Sequence, residues 1–443
     1  MSAEKELISF VMSGLVFTVK NLPAPHPPWW GKLIRYWLAL SFPIAGHLLY
    51  DLTVVGLENF TNSPGTLIIA NHKTDFDIVL LAPVIFWSHR GRGPAGRIAF
   101  VAAERMFLPG YLSDYILHRP DWLRRLIYPA NLSAVLKAIR AYPIGYLHSR
   151  KLKAHLSAVL KTAGDIPIGA ALSKPVTDVI PGVSPNTPIS RILRWRHHTA
   201  LDQEWEFSVL SPKLRKELRI QHIEEIISSL SQFAAILDEG DAVYLAPEGG
   251  LETDGKFNEA KAGLSRLISM ARDPIVLPVN LTYDFMGTGR QSVFITIGKE
   301  MSGIKDLSAR RIEQKVINAV SCLGTITFSQ LAARGMRRLA ESNPLVHVRD
   351  LQQEIIREAR WLADSNHWVD QAIFDPAAFR RRWNKFVTYC TQKKLLRFEG
   401  PWILYDRDIL FGGYANGRIN PWEYAANELD AILLASGVPE LVH

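Results

Sequence analysis

The sequence has little cysteine and lacks a long apolar run. Cys322 and Cys390 are the only cysteines, and no Cys/His ligand spacing surrounds them, so we expect neither a disulfide framework nor a structural zinc site. The longest uncharged apolar run near the start, Leu7 to Val19, has 13 residues. As a helix it would span about 20 Å, whereas a hydrocarbon core is about 30 Å thick. These absences favour a reducing compartment and a segment that does not cross a membrane alone.

The apolar content and the net charge further restrict the class of protein to which the chain can belong. Hydrophobic residues make up 48% of the chain, which is enough for a packed core and excludes global disorder. The 443 residues exceed the usual size of a single core, so we expect a large core with a smaller appended domain. The formal net charge is +8, which suits an anionic partner: a membrane surface, a phosphorylated substrate or nucleic acid.

The first 50 residues mix aromatic, basic and apolar side chains. Four prolines between residues 23 and 28 follow the first apolar run, and a second run, Tyr36 to Tyr50, contains Pro43 and His47. Aromatic and basic residues between positions 29 and 37 favour the headgroup layer of a bilayer. We predict that residues 1–50 form membrane-interfacial helices on the cytoplasmic face, peripheral or monotopic. The alternative is a helical hairpin buried on the protein's own core.

Residues 51–304 alternate short apolar runs with helical periodicity. The runs are flanked by turn or polar residues, as buried strands are, and a helical period between Leu214 and Leu237 ends at Gly240. We predict an α/β domain with an open, mixed and largely parallel sheet flanked by helices. The proline-rich sequence at about residues 164–212 indicates an insertion or mobile loop. The predicted strands are Thr66–Ala70, Ile98–Ala102, Ala242–Ala246, Pro274–Pro278 and Val293–Ile297.

A mostly helical C-terminal domain is predicted for residues 305–443. Its helical pattern is interrupted at Leu395 to Tyr405, which can fold back at Glu399-Gly400-Pro401. Helices followed by a hairpin also describe a winged helix, so nucleic-acid binding is an alternative. A DNA-reading helix concentrates basic residues, whereas Asp350 to Arg360 mixes acidic with basic ones. We therefore do not expect a nucleic-acid partner.

His72 and Asp77 follow the first predicted strand, at the end where ligands bind in open α/β sheets. An aspartate on one imidazole nitrogen holds the tautomer and leaves the other nitrogen to take a proton from a hydroxyl group. Asp75 is the predicted N-cap of the following helix. The same spacing recurs at His197 and Asp202 without a preceding strand, and we regard that second pair as chance.

Several motifs occur in a fixed order along the chain. The run Asn71-His72-Lys73-Thr74-Asp75-Phe76-Asp77 resembles the first motif of the glycerolipid acyltransferase family, the lysophosphatidate and glycerol-3-phosphate acyltransferases. Ala246-Pro247-Glu248-Gly249-Gly250 resembles that family's Phe-Pro-Glu-Gly motif, and Lys261-Ala262-Gly263 its downstream Lys-x-Gly. Ile275 to Val279 resembles its last, proline-containing strand. The ordered set is more specific than any single motif, and the resemblance covers roughly Leu52 to Lys299.

The resemblance implies an O-acyltransferase of phospholipid biosynthesis. Such an enzyme moves a fatty acyl group from acyl-acyl-carrier protein (acyl-ACP) or acyl-coenzyme A (acyl-CoA) to a hydroxyl of lysophosphatidate, with glycerol-3-phosphate as the alternative acceptor. The resemblance also implies that His72 is the general base and that Asp77 is the carboxylate that orients it. The implied partners are a membrane lipid surface, the acyl carrier and the glycerol-phosphate acceptor, with neither a metal nor a bound cofactor.

The resemblance also implies substrate contacts. Glu248 and Gly249 match family residues that bind the substrate, but Leu251 and Glu252 stand where the family usually has a phosphate-binding arginine. An alternative function of another class also remains: the protein could be a catalytically inactive regulator that binds a membrane or nucleic acid. Four other cations are the candidates for the phosphate contact: Lys256, Lys261, Arg150 and Arg119.

Overall fold

The computed structural model of the protein describes most of the chain. The described residues are 29–107, 111–114, 120–128, 132–144, 149–194, 197–249, 251, 254–257, 260–412 and 420–437. The run Leu7 to Val19, predicted as an interfacial helix, lies outside them, and so does Arg119. The chain divides into two compact units, one formed by residues 1–32 and 100–235 and the other by residues 33–99 and 236–443.

The main sheet is mixed and largely parallel. Among the described residues the strands are β1 (Tyr50–Val55), β2 (Thr66–Ala70), β3 (Ala99–Ala103), β4 (Ala141–Ile144), β5 (Ser149–Lys151), β6 (Glu204–Glu206), β7 (Val243–Leu245), β8 (Ile275–Asp284), β9 (Gln291–Ile297), β10 (Val346–His347), β11 (Leu396–Glu399) and β12 (Trp402–Tyr405). Seven of them pair in the order β1-β9-β8-β2-β7-β3-β4. The pair β8–β9 is antiparallel, whereas β1–β9, β2–β7, β2–β8 and β3–β4 are parallel. The predicted α/β fold class is confirmed.

Helices precede, connect and follow these strands. In the described part of the chain they are α1 (Trp29–Leu49), α2 (Asp77–Ser88), α3 (Tyr111–Asp114), α4 (Asp121–Ile127), α5 (Ser133–Ala138), α6 (Leu152–Ala163), α7 (Ile168–Ala171), α8 (Val176–Val179), α9 (Ile189–Ile192), α10 (His198–Leu201), α11 (Pro212–Asp238), α12 (Gly263–Met270), α13 (Ala309–Ser321), α14 (Phe328–Ser342), α15 (Val348–Asp364), α16 (Pro376–Gln392), α17 (Arg407–Phe411) and α18 (Pro421–Ser436).

Several strands differ from the sequence-based expectation: β1, β4, β5, β6 and β10 are absent from the predicted set, and β8 is longer than predicted. β8 has 10 residues and runs to Asp284, well beyond the predicted end at Pro278. All its residues except Ile275 are buried, so polar ones such as Asn280 and Thr282 break the apolar run without ending the strand. The apolar pattern does not predict β1, because it is an edge strand whose residues alternate between partly buried and exposed.

The proline-rich segment at residues 164–212 packs its apolar side chains in one cluster with those of α6 and α11. Pro167, Pro175 and Pro188 each stand directly before a short helix, α7, α8 and α9, and the fixed φ of proline suits this entry position. Ile168 and Ile189 are completely buried in the cluster. These three prolines therefore begin helices, and the segment is not the irregular loop that the spacing of its prolines indicates.

The C-terminal residues have the element order of a winged helix. The order is α14, β10, α15, α16, β11 and β12, and the three strands pair as β10-β12-β11. The predicted hairpin is confirmed, with Gly400 at a φ of 59° in its turn. Asp350 to Arg360 lies in α15, whereas α16 occupies the position of a recognition helix. The mixed charge of Asp350 to Arg360 is therefore no argument against DNA binding, because these residues are not in the recognition helix.

Helix α1 exposes an apolar stripe. Another face of α1 contacts α2: the Tyr36 and Phe86 rings lie 5.2 Å apart, and Trp87 Nε1 donates to the carbonyl of Ala39 at 2.7 Å. No described helix is both long and apolar enough to cross a membrane. The residues of the stripe recur every three or four positions and are 57 to 71% exposed: Leu33, Trp37, Leu40, Ile44 and Leu48.

Candidate active site

Neighbouring parallel strands bring two sequence motifs to one edge of the sheet. β2 lies between β7 and β8, with Ile69 opposite Leu245. His72 follows β2 and Glu248 follows β7, and the carboxyl ends of parallel strands share an edge. Glu248 is buried, and its Oε1 accepts a hydrogen bond from the main-chain N–H of His72 at 3.2 Å. Gly249 next to it has a φ of 70°, a conformation that favours glycine.

His72 and Asp77 form a hydrogen-bonded pair. His72 Nδ1 lies 3.0 Å from Asp77 Oδ2. The Asp77 side chain is fully buried, whereas that of His72 is 29% exposed. Because a carboxylate only accepts, a neutral imidazole in this arrangement carries its proton on Nδ1 and keeps the lone pair on Nε2. The pair can therefore take a proton from a hydroxyl group that reaches Nε2.

The Asp77 carboxylate is saturated with donors. Its Oδ2 also accepts the main-chain N–H groups of Lys73 at 2.6 Å and Thr74 at 3.0 Å. Its Oδ1 accepts the Thr74 hydroxyl at 3.0 Å and the Tyr283 hydroxyl at 2.6 Å. With the bond from His72 this makes five hydrogen bonds to one buried carboxylate. Such bonds fix the position of the carboxylate.

The ends of the loop before α2 are also fixed. The side-chain amide of Asn71 donates to the carbonyl of Leu281 at 3.0 Å and accepts from its N–H at 2.8 Å. The predicted N-cap role of Asp75 is wrong, because α2 begins at Asp77 with Phe76 in the N-cap position, and Asp75 is exposed. The helix begins one residue later than predicted, with Asp77 as its first residue, and the Asp77 carboxylate turns back to the loop amides.

Tyr283 is a site residue that sequence patterns do not single out. It lies in the part of β8 beyond the predicted strand, 206 residues from Asp77. Burial raises the pKa of Tyr283, and the charge of Asp77 raises this pKa further, so the phenol stays protonated and donates. A tyrosine near the carboxyl end of the strand beside β2 is the only signal, and it requires the strand order to be known.

The predicted phosphate-binding cations lie in different parts of the molecule. Lys256 and Lys261 belong to the same unit as His72, and both are exposed. The main-chain N–H of Lys261 donates to the carbonyl of Pro247 at 2.9 Å, which ties it to the Glu248 loop. Arg150 lies in β5 of the other unit. Arg119 is outside the described residues.

The second histidine–aspartate spacing does not form a comparable pair. Asp202 instead pairs with Lys153 at 2.9 Å, and His197 stands before α10. This agrees with its interpretation as chance. Within the described ranges, no group of three or more His, Cys, Asp or Glu side chains is arranged to hold a metal ion.

Comparisons with known proteins add little to this geometry. No protein-family model matches the chain, and no curated protein sequence matches it. A solved structure to which the chain is similar is the 1-acyl-sn-glycerophosphate (LPA) acyltransferase PlsC from Thermotoga maritima, at 14% identity over 71% of this chain and 94% of that chain, with a TM-score of 0.27. At this TM-score no functional conclusion rests on the likeness.

Proposed function

We propose that the protein is an O-acyltransferase whose general base is His72. The observation that carries the proposal is the pair formed by a fully buried Asp77 and a partly exposed His72, joined at Nδ1 with Nε2 left as an acceptor. The ordered family motifs support the same reaction, because Glu248 of the second motif contacts the loop of the first. The intact pair also favours an enzyme over an inactive regulator.

In the proposed reaction an acceptor hydroxyl attacks the carbonyl carbon of an acyl thioester. His72 Nε2 takes the hydroxyl proton as the C–O bond forms, and Asp77 stabilises the imidazolium. The tetrahedral intermediate then expels the thiolate, which takes the proton from His72, so the base is regenerated. No separate nucleophile is needed because the acceptor supplies the attacking oxygen.

The loop amides beside His72 are not free to hold the oxyanion. The N–H of His72 donates to Glu248, and those of Lys73 and Thr74 donate to Asp77. Donors for the developing negative charge must therefore come from other groups at this edge of the sheet. We propose that Glu248 and Gly249 contribute to substrate binding beside the base.

We propose lysophosphatidate as the acceptor and acyl-ACP or acyl-CoA as the donor, with glycerol-3-phosphate as the alternative acceptor. Both acceptors carry a phosphate monoester, which needs cationic partners. Lys256 and Lys261 are exposed cations in the segment that follows Glu248, and we propose that they bind this phosphate. The thioester is already activated, so the reaction requires no further cofactor.

The test compares wild type with His72→Ala for both donors and both acceptors. We expect His72→Ala to lower kcat by about 10²- to 10⁴-fold, the usual contribution of a general base. His197→Ala is the matched control, because it removes the histidine of the other His-x4-Asp spacing, and it should keep normal activity. Undiminished transfer by His72→Ala would exclude His72 as the base, and absence of transfer by wild type with every donor and acceptor would exclude the proposed function.

We further propose that the apolar stripe of α1 lies in the interfacial layer of a lipid leaflet. Such a stripe, with a tryptophan in it, suits the boundary between headgroups and acyl chains. α1 packs through Ala39 on Trp87 of α2, the helix whose first residue is Asp77. The double variant Leu40→Glu/Ile44→Glu should abolish flotation with anionic vesicles. Leu434→Glu, at a position 84% exposed outside the stripe, should float like wild type.

Duplex nucleic-acid binding is the second candidate function, favoured by the winged-helix order. Residues 376–398, which include α16, contain seven Lys or Arg and no Asp or Glu. Arg380 and Arg381 are exposed on α16. Binding of a labelled 20-bp duplex to the full chain should then weaken steeply with salt and be lost in Arg380→Glu/Arg381→Glu. The same change at exposed Arg310 and Arg311 of α13 is the control, and absence of binding at low salt excludes this function.

A further inference from the structure

Helix α18, near the C-terminus, contacts the loop that carries His72. Glu428 of α18 forms an ion pair with Lys73, the residue that follows His72, and their side chains are only 5% and 6% exposed. The main-chain N–H of this same Lys73 donates to Asp77 at 2.6 Å. The ion pair therefore holds Lys73, whose main-chain N–H forms a hydrogen bond with the Asp77 carboxylate that orients His72.

The same face of α18 contacts the loop after Glu248. Asn427 Nδ2 donates to the carbonyl of Asp254 at 2.8 Å. Gly255 has a φ of 84° and comes so close to α18 that an added Cβ would lie 2.1 Å from the carbonyl oxygen of Tyr424. The Tyr424 ring also lies 5.1 Å from Phe285, which follows β8. Residues three and four positions apart share a helix face, so one surface of α18 contacts all three segments that build the site.

The buried ion pair is a costly way to pack α18 against the loop. Two charges leave water when it forms, and a pair of apolar side chains of similar volume would fill the space at a lower cost. Apolar side chains, however, tolerate sliding, whereas an ammonium group and a carboxylate meet in one register. The pair is therefore suited to fix the position of Lys73 more than to increase stability.

We propose that Glu428 is a positioning residue for the base. Through Lys73 it holds the amides of residues 73 and 74 against Asp77, and Asp77 in turn orients the imidazole of His72. The inference rests on the proposed acyl transfer and assigns to the C-terminal helix a part in that reaction. Displacement of a catalytic group by a small distance lowers the rate while substrate contacts persist.

The experiment measures kcat and KM for Glu428→Gln, Lys73→Met and the double variant. We expect Glu428→Gln to lower kcat by about 10- to 100-fold with each KM within about threefold of wild type. In the Lys73→Met background the same substitution should have little further effect, because it acts through Lys73. The matched control is Glu354→Gln, which removes another buried glutamate paired with arginines and should leave kcat unchanged.

Failure of the inference is distinguishable from failure of the proposed function. If His72→Ala is inactive but Glu428→Gln keeps kcat within twofold of wild type, the positioning role is wrong and the acyltransferase stands. If His72→Ala transfers acyl groups normally, His72 is not the base, and both the proposed mechanism and the positioning role are wrong. If wild type transfers no acyl group, the acyltransferase is wrong. The inference is then decided by the downfield proton resonance of the His72 Nδ1–H, which Glu428→Gln must shift or broaden and Glu354→Gln must not.

A folding defect in Glu428→Gln has its own control. If Glu428→Gln does not fold, the variant Lys73→Met/Glu428→Leu is measured in its place. It replaces the ion pair by apolar side chains of similar volume, which proteins tolerate well. A folded double variant with kcat lowered about 10- to 100-fold and unchanged KM supports positioning. A folded double variant with the wild-type kcat overturns it, because the pair then serves packing alone.

Discussion

Replacement of Asp77 by asparagine removes the charge behind His72 while keeping the shape of the side chain. An asparagine oxygen at the Oδ2 position can still accept from His72, Lys73 and Thr74, and its amide can donate to the hydroxyls of Thr74 and Tyr283, which reverse their roles. What is lost is the attraction between carboxylate and imidazolium. For charges about 4 Å apart at an effective dielectric constant of about 20 this attraction is about 4 kcal/mol.

The expected fall in activity follows from this attraction. A loss of about 4 kcal/mol corresponds to about 10³-fold in rate, and the 29% exposure of His72 lets water screen part of it. We therefore expect Asp77→Asn to lower kcat by about 10²- to 10³-fold, with a fall of about 1–3 kcal/mol in the free energy of unfolding.

The assay is steady-state acyl transfer, with urea unfolding of the same preparations. Asp75→Asn is the matched control, because it makes the same chemical change at an exposed position two residues away, and it should behave as wild type. A folded Asp77→Asn protein with kcat within threefold of wild type would refute the reasoning, because the carboxylate charge would then play no part in the reaction.

Three further predictions concern other side chains. Tyr283→Phe should lower the free energy of unfolding at pH 7 by about 1–2 kcal/mol, because Asp77 loses a donor. Burial and the charge of Asp77 raise the pKa of Tyr283 in the folded protein, so above about pH 10 the phenol ionises in the unfolded chain first and wild type loses stability. Tyr283→Phe has no such group, so the difference in free energy of unfolding between the two proteins, measured by urea unfolding, should become smaller above about pH 10. A difference that grows there contradicts this. Burial raises the pKa of Cys390, which is completely buried, so iodoacetamide at pH 8 should modify Cys322 alone until the protein is unfolded, as mass spectrometry can show. Lys256→Ala/Lys261→Ala should raise the acceptor KM about tenfold or more with little change in kcat, and an unchanged KM excludes these lysines as phosphate ligands.

The sequence by itself determined the features that depend on neighbours along the chain. The strand Thr66–Ala70 and its exact place before His72 follow from five apolar or small residues bounded by polar ones. The His72–Asp77 pair also forms within one loop and the first residue of a helix. The hairpin at Gly400 follows from its turn residues. Such features need no knowledge of distant segments, because their interactions join residues a few positions apart.

Only the tertiary structure decided which distant groups complete the site. Tyr283 reaches Asp77 because β8 lies beside β2 and continues past its predicted end. Lys73 is paired because α18 folds back onto the loop, a contact that no local pattern indicates. The proline-rich segment and the place of α16 in the winged helix likewise depend on packing and strand order. The physical reason is that hydrogen bonds and ion pairs between distant residues depend on how strands and helices are arranged in space, and periodicity along the chain does not encode that arrangement.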